Sequence, residues 1–103
     1  MNGIKLENVL NKNVAINFKY ESDYVEYLNY LAKHNILWSL GAKANSKSRI
    51  NRWKEYGENF CISLATGKIK YGGIRCFEKD LGYKIIEAKL FLNVKKGNVN
   101  EWD

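Results

Sequence analysis

The chain contains no proline, one histidine, one methionine and two cysteines in 103 residues. Each scarcity excludes something. Without proline there is no rigid linker to a second domain, and the length itself suits one domain. Cys61 and Cys76 are too few for a disulfide framework. They are expected to be half-buried thiols that behave as small apolar residues. With His34 as the lone imidazole and no Cys-x-x-Cys, a zinc site lacks ligands. A Cys–His nucleophile pair has no visible orienting group. No apolar run approaches the roughly 18 residues that a membrane span needs. The opening Met-Asn-Gly-Ile-Lys-Leu-Glu-Asn is mixed and charged, unlike a signal peptide. A soluble cytoplasmic protein is therefore expected. Both Gly-x-x-x-x-Gly-Lys-Ser/Thr and Gly-x-Gly-x-x-Gly are absent. The close acidic pairs, Glu55 with Glu58 and Glu78 with Asp80, each sit beside Lys or Arg and read as surface charge balance. No two-carboxylate site for acid–base work stands out, and the expectation is a protein that is not an enzyme and needs no cofactor.

What is present is a hydrophobic content of 46 %, enough to fold, and a positive charge that is strongly localised. The formal net charge is +6. Residues 41–54 hold Lys43, Lys47, Arg49, Arg52 and Lys54 and no acid, which leaves the rest of the chain nearly neutral.

Hydrophobic periodicity gives the elements. Ile4, Leu6, Val9 and Leu10 fit a short strand or a helical turn. Val14 to Tyr20 alternates, with Val14, Ile16, Phe18 and Tyr20 on one face and Asn17 and Lys19 opposite, and predicts a half-buried strand. Ser22 or Asp23 opens a helix, with Asp23 and Glu26 spaced as a capping box. Tyr24, Tyr27, Leu28 and Leu31 form its buried stripe. His34 lies at its end, and Asn35 can close it in a left-handed conformation. Ile36 to Leu40 reads as a second strand stopped by Gly41. The long connection that follows, to Glu58, has room for a short helix capped by Ser46 or Ser48 and stopped by Gly57. Asn59 to Tyr71 reads as a hairpin turning at Ala65-Thr66-Gly67, with Ile69 and Tyr71 on one face and Lys68 and Lys70 on the other. Gly72-Gly73 ends it. A helical turn over Ile74–Leu81 closes at Gly82, and Tyr83–Glu87 is a final strand. Ala88–Leu92 suits a terminal helical turn, and residues 93–103 a loosely held tail on which Trp102 can dock. The sum is a single α+β domain over residues 1–92, with one main helix packed on an antiparallel or mixed sheet of about four strands.

Unbranched connections longer than about 12–15 residues are uncommon and usually functional or mobile. The basic one here is interleaved with aromatic residues. Arginine offers a planar fork of donors matched to phosphate, and lysine a point charge. Trp38, Trp53, Tyr56 and Tyr71 can stack on a base. Seryl hydroxyls and Asn45 can donate to phosphate. The candidate ligand-binding set is Trp38, Ser39, Lys43, Arg49, Arg52, Trp53, Tyr56, Tyr71 and Arg75. The competing description is a solvated connection that confers solubility. For Gly72-Gly73 the alternatives are close backbone approach to a ligand or a strand-ending turn.

The run Tyr27-Leu28-Asn29-Tyr30-Leu31 leads to Ile36-Leu37-Trp38-Ser39-Leu40-Gly41. Phe60-Cys61-Ile62 continues through Gly67-Lys68-Ile69-Lys70-Tyr71-Gly72, and Gly82-Tyr83-Lys84-Ile85-Ile86 precedes Ala88-Lys89-Leu90-Phe91-Leu92. Over roughly residues 14–92 this pattern resembles a family of small accessory proteins of phages and prophages of low-GC Gram-positive bacteria. There a Trp-Ser-x-Gly-like element follows the helix and a strand ending in x-Tyr-Gly follows the turn. The resemblance implies a phage accessory protein of the host bacterial cytoplasm. Some proteins of this general kind resemble sponges that sequester cyclic or ADP-ribose-type nucleotide signals of bacterial immunity. The longer, more basic connection after Trp38 departs from the pattern, so no site residue is carried over. The expectation is a non-enzymatic, homo-oligomeric anti-defence protein that sequesters a phosphate-bearing, cyclic nucleotide signal. The alternatives are an anti-CRISPR-like inhibitor that binds a host defence protein, and a nucleic-acid-binding accessory protein.

Overall fold

The computed structural model describes residues 6–88. Ile4, the terminal helical turn beyond Ala88, the tail and Trp102 lie outside the described residues. The fold is α+β. Strands β1 (Val14–Asn17), β2 (Phe60–Ser63), β3 (Lys70–Gly73) and β4 (Lys84–Glu87) form one mixed sheet in the order β3-β2-β1-β4. β1–β2 and β2–β3 are antiparallel, and β1–β4 is parallel. The main helix α1 (Glu21–Lys33) covers one face. A π-helical turn at Cys76–Asp80 covers part of the other.

Residue types explain the layers. Even-numbered Ile16, Phe18, Phe60 and Ile62 join Tyr24, Tyr27, Leu28 and Leu31 of α1 in the main core. Its centre is aromatic: the ring centroid of Tyr24 stands 5.5 Å from Phe18 and 4.7 Å from Phe60, both edge-on. Odd-numbered Ala15 and Cys61 meet Phe77 on the opposite face. β1 is thus buried on both faces, as suits a strand with parallel and antiparallel neighbours, where a half-buried strand is expected from alternation alone. The predicted face also ends early. Tyr20 is exposed because the strand stops at Asn17, and Tyr20 becomes the extended residue before the helix.

α1 begins at Glu21, ahead of the predicted capping residues, and Tyr20 at its N-cap position makes no side-chain cap. Asp23 lies inside the first turn, where negative charge complements the helix dipole. The predicted end holds. Asn35 has φ 59°, the Ile36 amide donates to the Leu31 carbonyl and that of Asn35 to Ala32, which is a Schellman closure.

Ile36–Leu40 is not a strand of the sheet. Leu37 and Trp38 make isolated bridges to Lys43 and Ile69, and the chain reverses at once through a turn in which the Gly41 amide donates to the Trp38 carbonyl. Gly41 takes φ 94° there, which a side chain disfavours. The long connection does contain a helix: α2 (Lys47–Ile50) follows Ser46, then runs into tighter turns at Asn51–Glu55 and Gly57–Asn59. Ser46 stands at the N-cap position without a side-chain cap bond. The segment before β1 is a short turn at Leu6–Asn8. The hairpin turns with Gly67 at φ 85°. Gly72 and Gly73, expected to end β3, are its last two residues. A Cβ on Gly73 would stand 3.1 Å from Cδ1 of Tyr56, and one on Gly72 would stand 3.5 Å from the Phe77 ring. The glycines make room for rings of the protein itself, one on each face.

The far end of the long connection is pinned by Asn17. Its buried amide donates to the carbonyls of Glu58 (2.9 Å) and Phe60 (3.1 Å). Replacing Asn17 with Ala removes a donor shared by two carbonyls in this packed region and is expected to lower stability by about 1–3 kcal/mol. A urea titration reads this directly, and an unchanged midpoint would show that the tie carries no stability.

Candidate functional site

The basic connection folds over the Tyr71 end of the sheet, and Trp38 is its floor. The indole is 2 % exposed. Its N–H donates to the Ala44 carbonyl at 3.0 Å, and its ring meets Tyr71 edge-on at 5.9 Å. Tyr71 in turn stacks on Phe60 at 5.5 Å, so the floor is continuous with the main core. Arg49 and Arg52 lie three residues apart where α2 passes into the following turn, a spacing that puts two side chains on one helical face. The Arg49 guanidinium carbon lies 5.3 Å from the Trp38 ring centroid, and that of Arg52 5.7 Å from Tyr71. A cation against an aromatic face is held by the ring quadrupole, worth about 0.5–1 kcal/mol at exposed sites. α2 is tied down from below as well, because the hydroxyl of Tyr24 donates to the Arg49 carbonyl. Burial of that phenol raises its pKa far above the ordinary range, so it stays a neutral donor.

The two guanidiniums differ. Nη1 of Arg52 donates to Oε2 of Glu55 at 2.9 Å, and the Tyr71 hydroxyl donates to Oε1 of the same carboxylate at 3.1 Å. Arg52's hydrogen bond, then that from Tyr71, hold the Glu55 carboxyl below its usual value. Burial first, and then the bond to Glu55, push the Tyr71 phenol up. Arg49 has no such partner. Among the described residues no carboxylate pairs with it, and its Nε, like those of Arg52 and the Ser46 hydroxyl, is buried without a hydrogen-bond acceptor.

The structure therefore brings together Trp38, Arg49, Arg52, Tyr56 and Tyr71 from the predicted set. Tyr56 is 44 % exposed, with its ring 6.3 Å from Tyr71 and against Gly73. The other predicted residues lie apart. Trp53 is half-buried, and its indole N–H donates to the Phe18 carbonyl at 2.9 Å. Ser39 is spent on the bridge, its amide donating to Ile69. Lys43 edges a separate groove of about 430 Å³ with Asn35, Ile36, Leu37 and Asn45. Arg75 begins the π-helical turn, whose Phe77 packs on the sheet's other face. Lys70, opposite Ser63, lines a smaller cavity of about 160 Å³ on that same face. Sequence reasoning missed Glu55 as a member of the cluster. The signal was available: Arg52 and Glu55 stand three apart in a segment with helical character.

The cysteines are not alike, in contrast to the expected pair of half-buried thiols. Cys61 is buried, and burial raises its thiol to about 12, while Cys76 is exposed. Among the described residues no group of three or more His, Cys, Asp or Glu could hold a metal ion. No helix among them is long and apolar enough to cross a membrane.

Two outcomes follow from this geometry. An aromatic disulfide reagent at pH 8 should label Cys76 and leave Cys61 unreacted until the protein is unfolded, and C76S should abolish labelling of the folded chain. Glu55 sets a pH response. Its folded pKa lies below its ordinary value of 4.5. The stabilisation it contributes is thus complete above that value and lost as pH falls through the lowered one. Urea midpoints of the wild type and E55Q should differ by a constant amount above about pH 5.5 and converge in strong acid. A gap that persists in strong acid would mean that the carboxylate's charge is not the cause. No family model, no characterised protein and no solved structure matches the chain, so the geometry of this cluster carries the functional reading.

Proposed function

We propose that this chain is a non-enzymatic binding protein for a phosphate-bearing nucleotide, with the phosphate held by Arg49 and Arg52. The observation that carries the reading is Arg49: a guanidinium laid over a buried tryptophan, on a backbone tied by Tyr24, with no carboxylate paired to it among the described residues. Arginine is weakly hydrated and presents its donors in a rigid fork, so a preoriented, unpaired guanidinium is a receptor for phosphate oxygens. The base stacks on Tyr56, the exposed ring at the edge of the cluster. Trp38 acts from beneath, as the surface that orients Arg49. This differs from direct stacking on Trp38, since Arg49 already covers that ring.

The resemblance of residues 14–92 to phage accessory proteins gives the binding a purpose: capture of a cyclic or ADP-ribose-type immune signal. Sequestration requires tight binding, and a Kd near 1 nM corresponds to about −12 kcal/mol. A second copy of the chain supplies the remaining walls for a ligand of dinucleotide size. A protein-binding inhibitor is the second reading. It is favoured by Leu40, 87 % exposed at the tip of the turn after Trp38, with Leu37 beside the groove at Lys43.

Isothermal titration against cyclic dinucleotides and cyclic ADP-ribose isomers tests the proposal. Binding of at least one, lost in the R49A/R52A double variant with an unchanged urea midpoint, is the expected result. No heat with any of them at micromolar protein sinks it. Normal binding by the double variant moves the site elsewhere. Capture of a host protein in a nucleotide-free pull-down, lost on Leu40→Asp, favours the second reading. Salt separates a nucleotide pocket from a nucleic-acid surface, since counterion release makes the latter's affinity fall steeply.

A further inference from the structure

The geometry points to Glu55 as an exchangeable occupant of the second position of this site: a single phosphate binds at Arg49, whereas a diphosphate group displaces Glu55 from Arg52 and engages both guanidiniums. The inference rests on the phosphate-binding reading above and names the ligand class, a molecule with two adjacent phosphates.

The Glu55 carboxylate shows what the second position accepts. It receives one hydrogen bond from Nη1 of Arg52 and one from the Tyr71 hydroxyl, at 2.9 and 3.1 Å. A guanidinium fork and a phenolic hydroxyl converging on two oxygens of one anion make an oxyanion cradle, and phosphate oxygens accept from the same donors. The first position, at Arg49, has no such occupant among the described residues. The rings beneath the two guanidiniums, Trp38 and Tyr71, have centroids only 5.9 Å apart, so the two positions are neighbours. Two phosphates joined by a shared oxygen reach both. One phosphate satisfied at Arg49 gains little from a neighbour already neutralised by a carboxylate.

Glu55 is also able to leave. Its side chain is 42 % exposed and that of Arg52 38 %, in an exposed i, i+3 pair. Such exposed pairs hold their partners weakly, and a released carboxylate regains water at once. A diphosphate brings more negative charge than the group it replaces, and it adds Arg49. Charge and contact number both favour the exchange. A lone phosphate, held at Arg49, has no second group to place on Arg52 and leaves Glu55 where it is.

Titration calorimetry of the full chain with inorganic phosphate and with pyrophosphate tests this in the wild type, E55Q, E55A and R49A. Gln at 55 keeps the shape and removes the charge, while Ala empties the cradle; their urea midpoints confirm folding. The wild type should bind pyrophosphate more tightly than phosphate, and R49A should lose both. E55Q and E55A should tighten pyrophosphate by about tenfold, the worth of one charge-assisted hydrogen bond, and phosphate by less than about twofold. Equal tightening of both probes would reduce Glu55 to a bulk charge effect and overturn the inference while the phosphate site stands. No change with either probe overturns it in the same way. Failure of every variant and of the wild type to bind either anion removes the phosphate site itself, and the inference with it.

Discussion

The burial of Trp38 is the constraint on which the basic connection depends. An indole inside a protein needs an acceptor for its N–H, and here the Ala44 carbonyl supplies it from six residues downstream. That single bond, with the bridges of Leu37 to Lys43 and Trp38 to Ile69, forces the chain to fold back immediately after the main helix. The fold-back sets where α2 starts, and α2 sets where Arg49 and Arg52 point. The ring that closes the core on one side thus presents its other surface to a cation. Packing and site are two sides of one residue.

Tyr24 and Trp53 repeat this logic. Each buries an apolar body in the helix-side core and spends its polar tip on the connection: the Tyr24 hydroxyl reaches the Arg49 carbonyl, and the Trp53 indole reaches back to the Phe18 carbonyl. Asn17 does the same at Glu58. A connection of this length would otherwise leave many backbone groups to solvent and much chain entropy unfixed. Three side chains, each with one long-range hydrogen bond or more, hold it against the domain. These tips are why the segment is built rather than merely tolerated.

Much of the fold is legible in the sequence because the signals are local and redundant. The stripe of Tyr24, Tyr27, Leu28 and Leu31 has one reading at helical period, and Asn35 and Gly67 mark their turns by conformations few residues accept. The strand over Ile36–Leu40 failed for a reason that local pattern does not contain. A run of apolar residues predicts burial, and Trp38 is buried, but whether a strand forms depends on finding edge partners, and here the segment makes two isolated bridges, to Lys43 and Ile69. Gly72 and Gly73 do close β3, but their packing role lies outside the local pattern too. Their small size answers to Tyr56 and Phe77, rings distant by 17 and 5 positions or less in the chain, which spacing alone does not connect to them. For the candidate site, charge placement marked the segment. It could not tell Arg49 and Arg52, brought onto rings, from Lys43 and Arg75, which the fold sends to other surfaces.

The pairing of charges in the cluster follows from the cost of bringing two guanidiniums together. Side by side over adjoining rings they repel, and each aromatic face returns only a modest attraction. One carboxylate placed three residues beyond Arg52 relieves the repulsion, and the Tyr71 hydroxyl fixes that carboxylate by its second oxygen. A second carboxylate would have neutralised the cluster and made it a purely structural network. Among the described residues none pairs with Arg49, and the nearest basic neighbours in the chain, Lys47 and Lys54, add positive potential instead. A cation that is oriented, partly desolvated and left unpaired is more costly than the fold requires, since a leucine in its place would cover Trp38 as well. That excess is the physical reason to read Arg49 as a binding residue: its charge is maintained against a gradient that packing alone would have removed.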